Sequence, residues 1–517
     1  MNLSTAASNA AWPAPLDEHN RRLLENAHPP DWKNPKPRNP YNLVVIGAGA
    51  AGLVTAAGAA GLGARVALVE RHLMGGDCLN VGCVPSKTML ASAHAASMIA
   101  RARDLGVRCE AAQVDFVAVM ERVRRLRAGI SPQDSVRRFT DLGVDVFLGS
   151  ASFAGPDRVE VAGESLRFSR AVIATGARPI VPEIPGLIEA APLTNETVFN
   201  LTVLPRRLAV IGGGPVGCEL AQAFQRLGSR VVLIHNKARL LDRDDADAAK
   251  ALRAALERDG VDVRLDAICS RVEGLGDAKR LVIAQTGGRS AVDVDQILVA
   301  AGRAPNVEGL GLESAGVAHT TSGGVQVDDF LRTTCPRVYA CGDVCLSQRF
   351  THAADFAARI VIQNALFSVG RIGKRRLSAW NLSWCAYTDP EVAQVGLRAS
   401  EADARGIPTE TFITPFDKVD RALTDGDTDG FVKIVARKGS GAILGGTIVG
   451  RHAGELISEV SAAMAGNLTL SRLAGVIHPY PTRADAIRKC GDLFNKGRLT
   501  DRARSVFTTW LRWRRGR

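Results

Sequence analysis

The stretch that decides the fold is "YNLVVIGAGAAGLVTAAGAAGLGARVALVE", residues 41–70. A β-rich run meets the turn Gly47-Ala48-Gly49-Ala50-Ala51-Gly52, an apolar helix follows, and a second β-run closes on Glu70. In such a turn Gly47 permits the tight reversal and Gly49 lets backbone amides approach a pyrophosphate at the helix N-terminus. Gly52 lets helix and strand pack closely. A carboxylate at the end of the second strand, here Glu70, can accept hydrogen bonds from ribose hydroxyls. Residues 43–64 are uncharged for long enough to span a bilayer. The six glycines within them, three in G-x-G-x-x-G spacing, argue instead for a soluble strand–turn–helix.

The pattern returns at 206–235, "RRLAVIGGGPVG…SRVVLIH", with the turn glycines Gly212, Gly214 and Gly217. Two such units imply two dinucleotides, or one dinucleotide and a related cofactor. The strand-end acid is missing from the second copy. His235 stands in its place, followed by Lys237 and Arg239. A carboxylate would repel a 2′-phosphate and basic neighbours attract it, so the expected donor is NADPH, with NADH second.

The chain has 517 residues, enough for three or four domain-sized units, and 46% hydrophobic residues with 51 glycines suit an α/β protein. Its net charge of +12 fits an anionic cofactor or an acidic surface. No aromatic-plus-basic nucleic-acid motif accompanies it, so no nucleic-acid partner is expected. Ten cysteines in a chain this long do not form a dense disulfide framework. The first residues lack a basic segment followed by an apolar one, which reads as no signal peptide and a cytoplasmic location.

Along the chain, residues 1–40 read as a Pro- and Asn-rich lead-in with one short helix near Asp17–Asn26. Residues 88–130 read as helix and 145–175 as short strands. "DQILVAAGRAPN" (295–306) and "TTCPRVYACGDVC" (333–345) read as strand-to-turn segments, and 352–367 as helix. From about 376 alternating strands begin, with helices at 453–465 and from about 484, forming a separate α+β domain.

Between the two glycine units lies "GGDCLNVGCVPSK", residues 75–87. Cys78 and Cys83 could be inert core thiols, a metal clip or a redox pair. Zinc needs two further ligands at suitable spacing, and no second C-x-x-C or H-x₃-H exists, so no metal site is expected. A helix N-terminus lowers a thiol's pKa and suits a reactive pair.

These motifs, with "ATG" at 174–176, "GD" at 342–343 and "YTDPEVAQVGL" at 387–397, resemble the pyridine nucleotide–disulfide oxidoreductases. That family includes dihydrolipoamide dehydrogenase, glutathione reductase and mercuric reductase, and the resemblance covers about residues 41–495. It implies an α/β fold with two Rossmann-like dinucleotide-binding domains, for FAD and NADPH, and a C-terminal α+β dimerisation domain. The implied divisions are an N-terminal extension (1–40), an FAD-binding part (41–187), an NADPH-binding domain (188–302), a second FAD-binding part (303–375), a dimerisation domain (376–498) and a basic amphipathic tail (499–517). By the same resemblance Gly47, Gly49, Gly52, Glu70, Thr175, Gly176, Gly342 and Asp343 would hold FAD, with Asp343 on the ribityl chain. Gly212, Gly214, Gly217, His235, Lys237, Arg239 and Gly302 would serve the nicotinamide cofactor. Cys83 would lie against the isoalloxazine ring as a charge-transfer thiolate and Cys78 would meet the acceptor. Lys87 would sit near the flavin and pair with Glu219, and a homodimer would complete the site.

The chain also departs from the family. Where relatives carry H-P-T-x-x-E, it has "IHPYPTRADAIRK", residues 477–489. Counting from His478 keeps H-P. Counting from Tyr480 keeps P-T and supplies Asp485 as the acid, and this register preserves more. A phenol near pKa 10 is a poor proton shuttle at neutral pH, whereas imidazole is well placed. Protonating a departing thiolate is needed to reduce an organic disulfide but not a soft metal ion held by thiolates. Mercuric reductases also have tyrosine there. Yet no cysteine follows Cys490, none lies in 1–40, and no tyrosine falls between Tyr41 and Tyr339. The expected acceptor is therefore a soft metal ion or a thiol compound. The alternatives are a dihydrolipoamide dehydrogenase or other disulfide reductase, with His478 as base, and a membrane-docked redox sensor.

Asp77 replaces the usual threonine before the first cysteine. Its carboxylate either raises the Cys78 pKa by like-charge repulsion or points elsewhere. Cys341 and Cys345 read as structural. In the tail, Val506, Phe507, Trp510, Leu511 and Trp513 cluster at near-helical spacing among arginines. They suit either peripheral contact with a membrane or packing on the dimer.

Overall fold

The computed structural model describes residues 12–285, 287–370 and 372–516. The first eleven residues, on which the signal-peptide reading rests, and Arg517 lie outside the described residues. Two compact units form: residues 12–98, 111–236 and 264–380 in one, residues 99–110, 237–263 and 381–516 in the other.

The first unit is built on parallel strands. Tyr41–Ile46 lies between Val66–Glu70 and Glu164–Ile173, with Asp145–Leu148 beyond the former and Val338–Ala340 beside the latter. Two antiparallel strands, Arg158–Val161 and Ala151–Gly155, extend the sheet. Leu43, Val44, Val45 and Ile46 are all buried, as expected of a strand covered on both faces. The uncharged 43–64 stretch is strand, turn and the helix Ala50–Gly61, so its apolar residues fill a protein core. A second parallel sheet places Arg207–Ile211 between Arg230–Ile234 and Gln296–Val299, with the helix Pro215–Arg226 after the glycine turn. An antiparallel three-stranded sheet, from Ala267–Leu275 to Gly288–Val294, is inserted in the chain between Arg230–Ile234 and Gln296–Val299.

The second unit carries an antiparallel sheet in the order Ser383–Ala386, Glu391–Gly396, Ile443–Gly450, Phe431–Arg437, Thr409–Pro415. The helices Ala453–Ala465 and Asp485–Gly497 pack Ile457, Val460, Ile487 and Phe494 into its core. Among the described residues no helix is long and apolar enough to cross a membrane.

The helix expected over 88–130 is two helices. Cys83–Arg101 ends in a short 3₁₀ turn at Gly106, whose φ of 78° is left-handed, and Phe116–Ile130 starts afresh on an Asp115 cap. Glycine at a left-handed position stops a helix as an L-residue rarely can. The expected helix at 352–367 is α-helical over Thr351–Ile362 and π-helical over Gln363–Phe367.

Candidate active site

Gly75 and Gly76, both at positive φ, bend the chain so that the short helix Gly76–Asn80 carries Cys78 and the helix Cys83–Arg101 opens on Cys83. The two sulfurs are hydrogen-bonded to each other, and Cys83 Sγ lies 3.2 Å from Thr351 Oγ1. One turn along the same helix, Lys87 Nζ sits 2.7 Å from Glu219 Oε2, whose side chain is nearly buried. The hydrogen bond from Cys78 is the main force lowering the Cys83 pKa, to about 6, against the opposing effect of burial. Thr351 and the Lys87 charge add to the lowering. Cys78 is pushed the other way by its bond to Cys83 and by burial. The pair therefore shares its protons unequally at neutral pH, with Cys83 the thiolate and Cys78 the thiol.

Asp77 does not face the sulfurs. It forms a close ion pair with Arg303, whose Nε is 3.7 Å from Asp343 Oδ2. The repulsion weighed for Cys78 is thus replaced by a carboxylate–guanidinium pair. Asp343 itself is held above the usual carboxylate range by burial, with Arg303 opposing.

The two glycine turns share one construction. Glu70 Oε2 accepts from the Ala48 N–H at 2.6 Å, and in the second turn His235 Nδ1 accepts from the Gly213 N–H at 3.1 Å. His235 thus does for its turn what Glu70 does for the first, while leaving the turn without a negative charge. Lys237 and Arg239 are exposed.

The glycines test whether dinucleotides fit. A Cβ at Gly47 would come 2.4 Å from the Ala174 carbonyl oxygen; at Gly52 it would come 1.8 Å from that of Gly47; and at Gly217 it would come 1.9 Å from that of Gly212. The middle glycines differ: a Cβ at Gly49 meets nothing nearer than 3.7 Å, and one at Gly214 nothing within 4 Å. Each turn is closed on the protein side and open where a pyrophosphate would approach, which fits one dinucleotide per turn. Thr175 and Asn306 bond to each other's backbone carbonyls at 2.7 and 2.9 Å beside Gly176, and Gly302 and Gly342 both take positive φ. Cys341 is buried, with its pKa raised to about 12 by desolvation, and Cys345 is raised likewise. Both suit a structural role.

In the second unit, Tyr480 is exposed and its hydroxyl donates to Asp420 Oδ2 at 2.7 Å, which raises its pKa. Asp485, the acid expected to accompany Tyr480, instead binds Arg488 and Lys489, at 2.8 and 3.1 Å, across the first turn of its own helix. Basic residues three and four positions on are within reach of a helical carboxylate, and Tyr480 is not on that helix. His478 has both ring nitrogens engaged, Nδ1 with the Val476 carbonyl at 3.0 Å and Nε2 with Glu459 at 2.7 Å. The sequence predicts no metal ligands; among the described residues Glu391, His452 and Glu455 bring donor atoms within 4.8 Å of one another, with His452 and Glu455 already paired.

Four residues at these sites escaped the sequence reading: Thr351, Arg303, Asp420 and Glu459. Arg303 sits inside the quoted "AAGRAPN" and Thr351 opens a helix, but their partners lie 226 and 268 residues away. No local spacing signals such pairs.

Residues 41–358 match the family described as pyridine nucleotide-disulphide oxidoreductase, and residues 382–490 match its dimerisation domain. The mercuric reductase of Lysinibacillus sphaericus is 35% identical over 459 residues, covering 88% of this chain and 83% of the relative. The dihydrolipoyl dehydrogenase of Chlamydia muridarum is 34% identical over 454 residues, covering 86% and 95%. Among solved structures, the HOCl-induced flavoprotein disulfide reductase RclA from Escherichia coli aligns with a TM-score of 0.77 at 28% identity, over 88% of this chain and 100% of that one. RclA has also been solved as a Cu(II) complex. Fold and site thus define a flavoprotein oxidoreductase that uses FAD and takes electrons from NAD(P)H. The chain belongs to the pyridine nucleotide–disulphide oxidoreductases and carries their dimerisation domain.

Proposed function

We propose that the protein is a homodimeric enzyme that reduces a soft, thiophilic metal ion with NADPH through Cys78 and Cys83. In balanced form, one hydride from NADPH reduces M²⁺ to M⁰ and releases H⁺. FAD, when bound, relays the two electrons from the nicotinamide to the cysteine pair. Gly47, Gly49, Gly52 and Glu70, with Thr175, Gly176, Gly342 and Asp343, would hold it. Gly212, Gly214, Gly217, His235 and Gly302 would seat the nicotinamide cofactor, with Lys237 and Arg239 offering positive charge to a 2′-phosphate. In the reduced pair Cys83 would be the thiolate, stabilised by Cys78, Thr351 and Lys87, and Cys78 would present the sulfur that meets the acceptor.

The observation that carries this reading is the absence of an open proton shuttle on the segment that supplies one in disulfide reductases. Tyr480 offers a phenol whose pKa is raised by Asp420. His478 has a carbonyl and a carboxylate on its two nitrogens. Thiolates can pass electrons to a bound soft cation without a protonated leaving group, so neither residue need act as an acid. The similarity to mercuric reductases supports the same choice.

A second reading, reduction of a disulfide such as lipoamide, is favoured by the His478–Glu459 pair, which has the composition of an imidazole–carboxylate shuttle, and by the dihydrolipoyl dehydrogenase relatives. NADPH oxidation with HgCl₂, oxidised lipoamide and glutathione disulfide, assayed side by side, separates the two. The metal reading expects turnover with HgCl₂ well above either disulfide, retained in His478→Ala. Rapid disulfide reduction that is lost in His478→Ala and kept in Tyr480→Phe would establish the second reading instead.

A further inference from the structure

The helix Asp501–Arg515 has no buried residue. Val506, Phe507, Trp510, Leu511 and Trp513 are each between 47% and 66% exposed. At 3.6 residues per turn these five side chains fall within an arc of about 160°. Arg502, Arg504, Arg512 and Arg515 lie outside this arc and Arg514 falls within it near the helix end, against the single acid Asp501. The indole rings of Trp510 and Trp513 pack on each other with centroids 4.9 Å apart.

Charge selects the occupant of this face. Two copies meeting through it would bring Arg504, Arg514 and Arg515 against their counterparts, and like charges in a closing interface repel. A polyanion is needed. Nucleic acid supplies the charge but offers nothing to Val506 and Leu511, and tryptophans packed on each other are not splayed to stack on bases. An anionic bilayer supplies both halves: acyl chains for the apolar arc, an interface suited to indoles, and headgroup phosphates for the arginines.

We propose that helix Asp501–Arg515 lies in the headgroup region of an anionic lipid bilayer, with Val506, Phe507, Trp510, Leu511 and Trp513 inserted and the arginines on lipid phosphates. This docking is independent of the electron acceptor. It places the enzyme at a membrane surface without a spanning segment, and it gives the helix a function that needs no change in the redox site.

The test is flotation of the full-length holoenzyme with vesicles of phosphatidylcholine alone and of phosphatidylcholine mixed with phosphatidylglycerol. The full chain floats with the anionic vesicles only, and salt releases it. Trp510→Ala with Trp513→Ala weakens binding at least tenfold. Arg512→Ala and Arg514→Ala each weaken it about fivefold. NADPH oxidation in solution is unchanged in all of them, which shows that they are folded. Equal flotation with neutral vesicles, no flotation, or undiminished flotation of a chain stopped after Arg498 would overturn the proposal. So would tighter binding to a single-stranded oligonucleotide than to the vesicles, or a drop in mass by light scattering on removing the helix without loss of vesicle binding.

Discussion

At the scale of single residues, the proposed chemistry turns on an asymmetry between two sulfurs five positions apart. Cys83 is lowered to about 6 chiefly by the hydrogen bond from Cys78, and Cys78 is raised by the same bond. Thiolate absorbance of the reduced apoprotein is therefore expected to rise with a midpoint near pH 6, being present above it and lost below it. Lys87→Met removes a positive charge and moves that midpoint upward. Cys78→Ala moves it further, because it removes the larger contribution. A midpoint unmoved in both variants would refute the account of the pair. Asp77 and Arg303 make a second residue-scale case. Arg303→Met removes the ion-pair partner of Asp77 and the larger of two positive charges near Asp343, where an anionic cofactor must approach. FAD retention, measured by fluorescence on dilution, should weaken about tenfold, with recovery when Asp77→Asn is added. The cysteines and Lys87 were legible because each sits in a local motif. The direction of Asp77 was not, since it depends on a partner 226 residues away.

At the scale of elements, the two strand–turn–helix units are the same device, and their glycines have separable roles. Gly52→Ala and Gly217→Ala each drive a Cβ into a backbone carbonyl, at 1.8 and 1.9 Å. Each should cost about 1–3 kcal/mol or more of stability, read by thermal melting, with FAD content falling in the first variant and the nicotinamide KM rising in the second. Gly214→Ala meets no protein atom. It should leave the melting temperature in place and raise the KM for NADPH, because its methyl group occupies the approach to the pyrophosphate. An unchanged KM would show that the cofactor does not pass there. These units could be read in advance because glycine spacing and β-branched runs are local signals. The break at Gly106 was harder, since a glycine within apolar periodicity is compatible with helix until its φ is known. The pairing of Asp485 with Arg488 and Lys489 could be foreseen from helical spacing. The partner of Tyr480, Asp420, could not, because it comes from another helix, Asp420–Thr424.

At the scale of the whole molecule, the fold assigns the class and leaves the acceptor to a few side chains. Relatives named mercuric reductase and dihydrolipoyl dehydrogenase are 35% and 34% identical, so overall likeness does not choose between their substrates. On the proposed reading the choice rests on Tyr480, His478 and their partners. Donor preference belongs to the same scale. Lys237→Ala with Arg239→Ala should shift kcat/KM from NADPH toward NADH, and an unchanged ratio would remove the basic pair from 2′-phosphate recognition. The proposed function depends on one claim, that the cysteine pair exchanges electrons with the flavin. The most direct measurement is an anaerobic titration of the holoenzyme with NADPH, followed by absorbance. The account predicts that uptake of two electrons produces a long-wavelength band from the Cys83 thiolate beside the flavin, and that the band is absent in Cys83→Ser. A titration in which no such band forms, or in which it persists in Cys83→Ser, would contradict it.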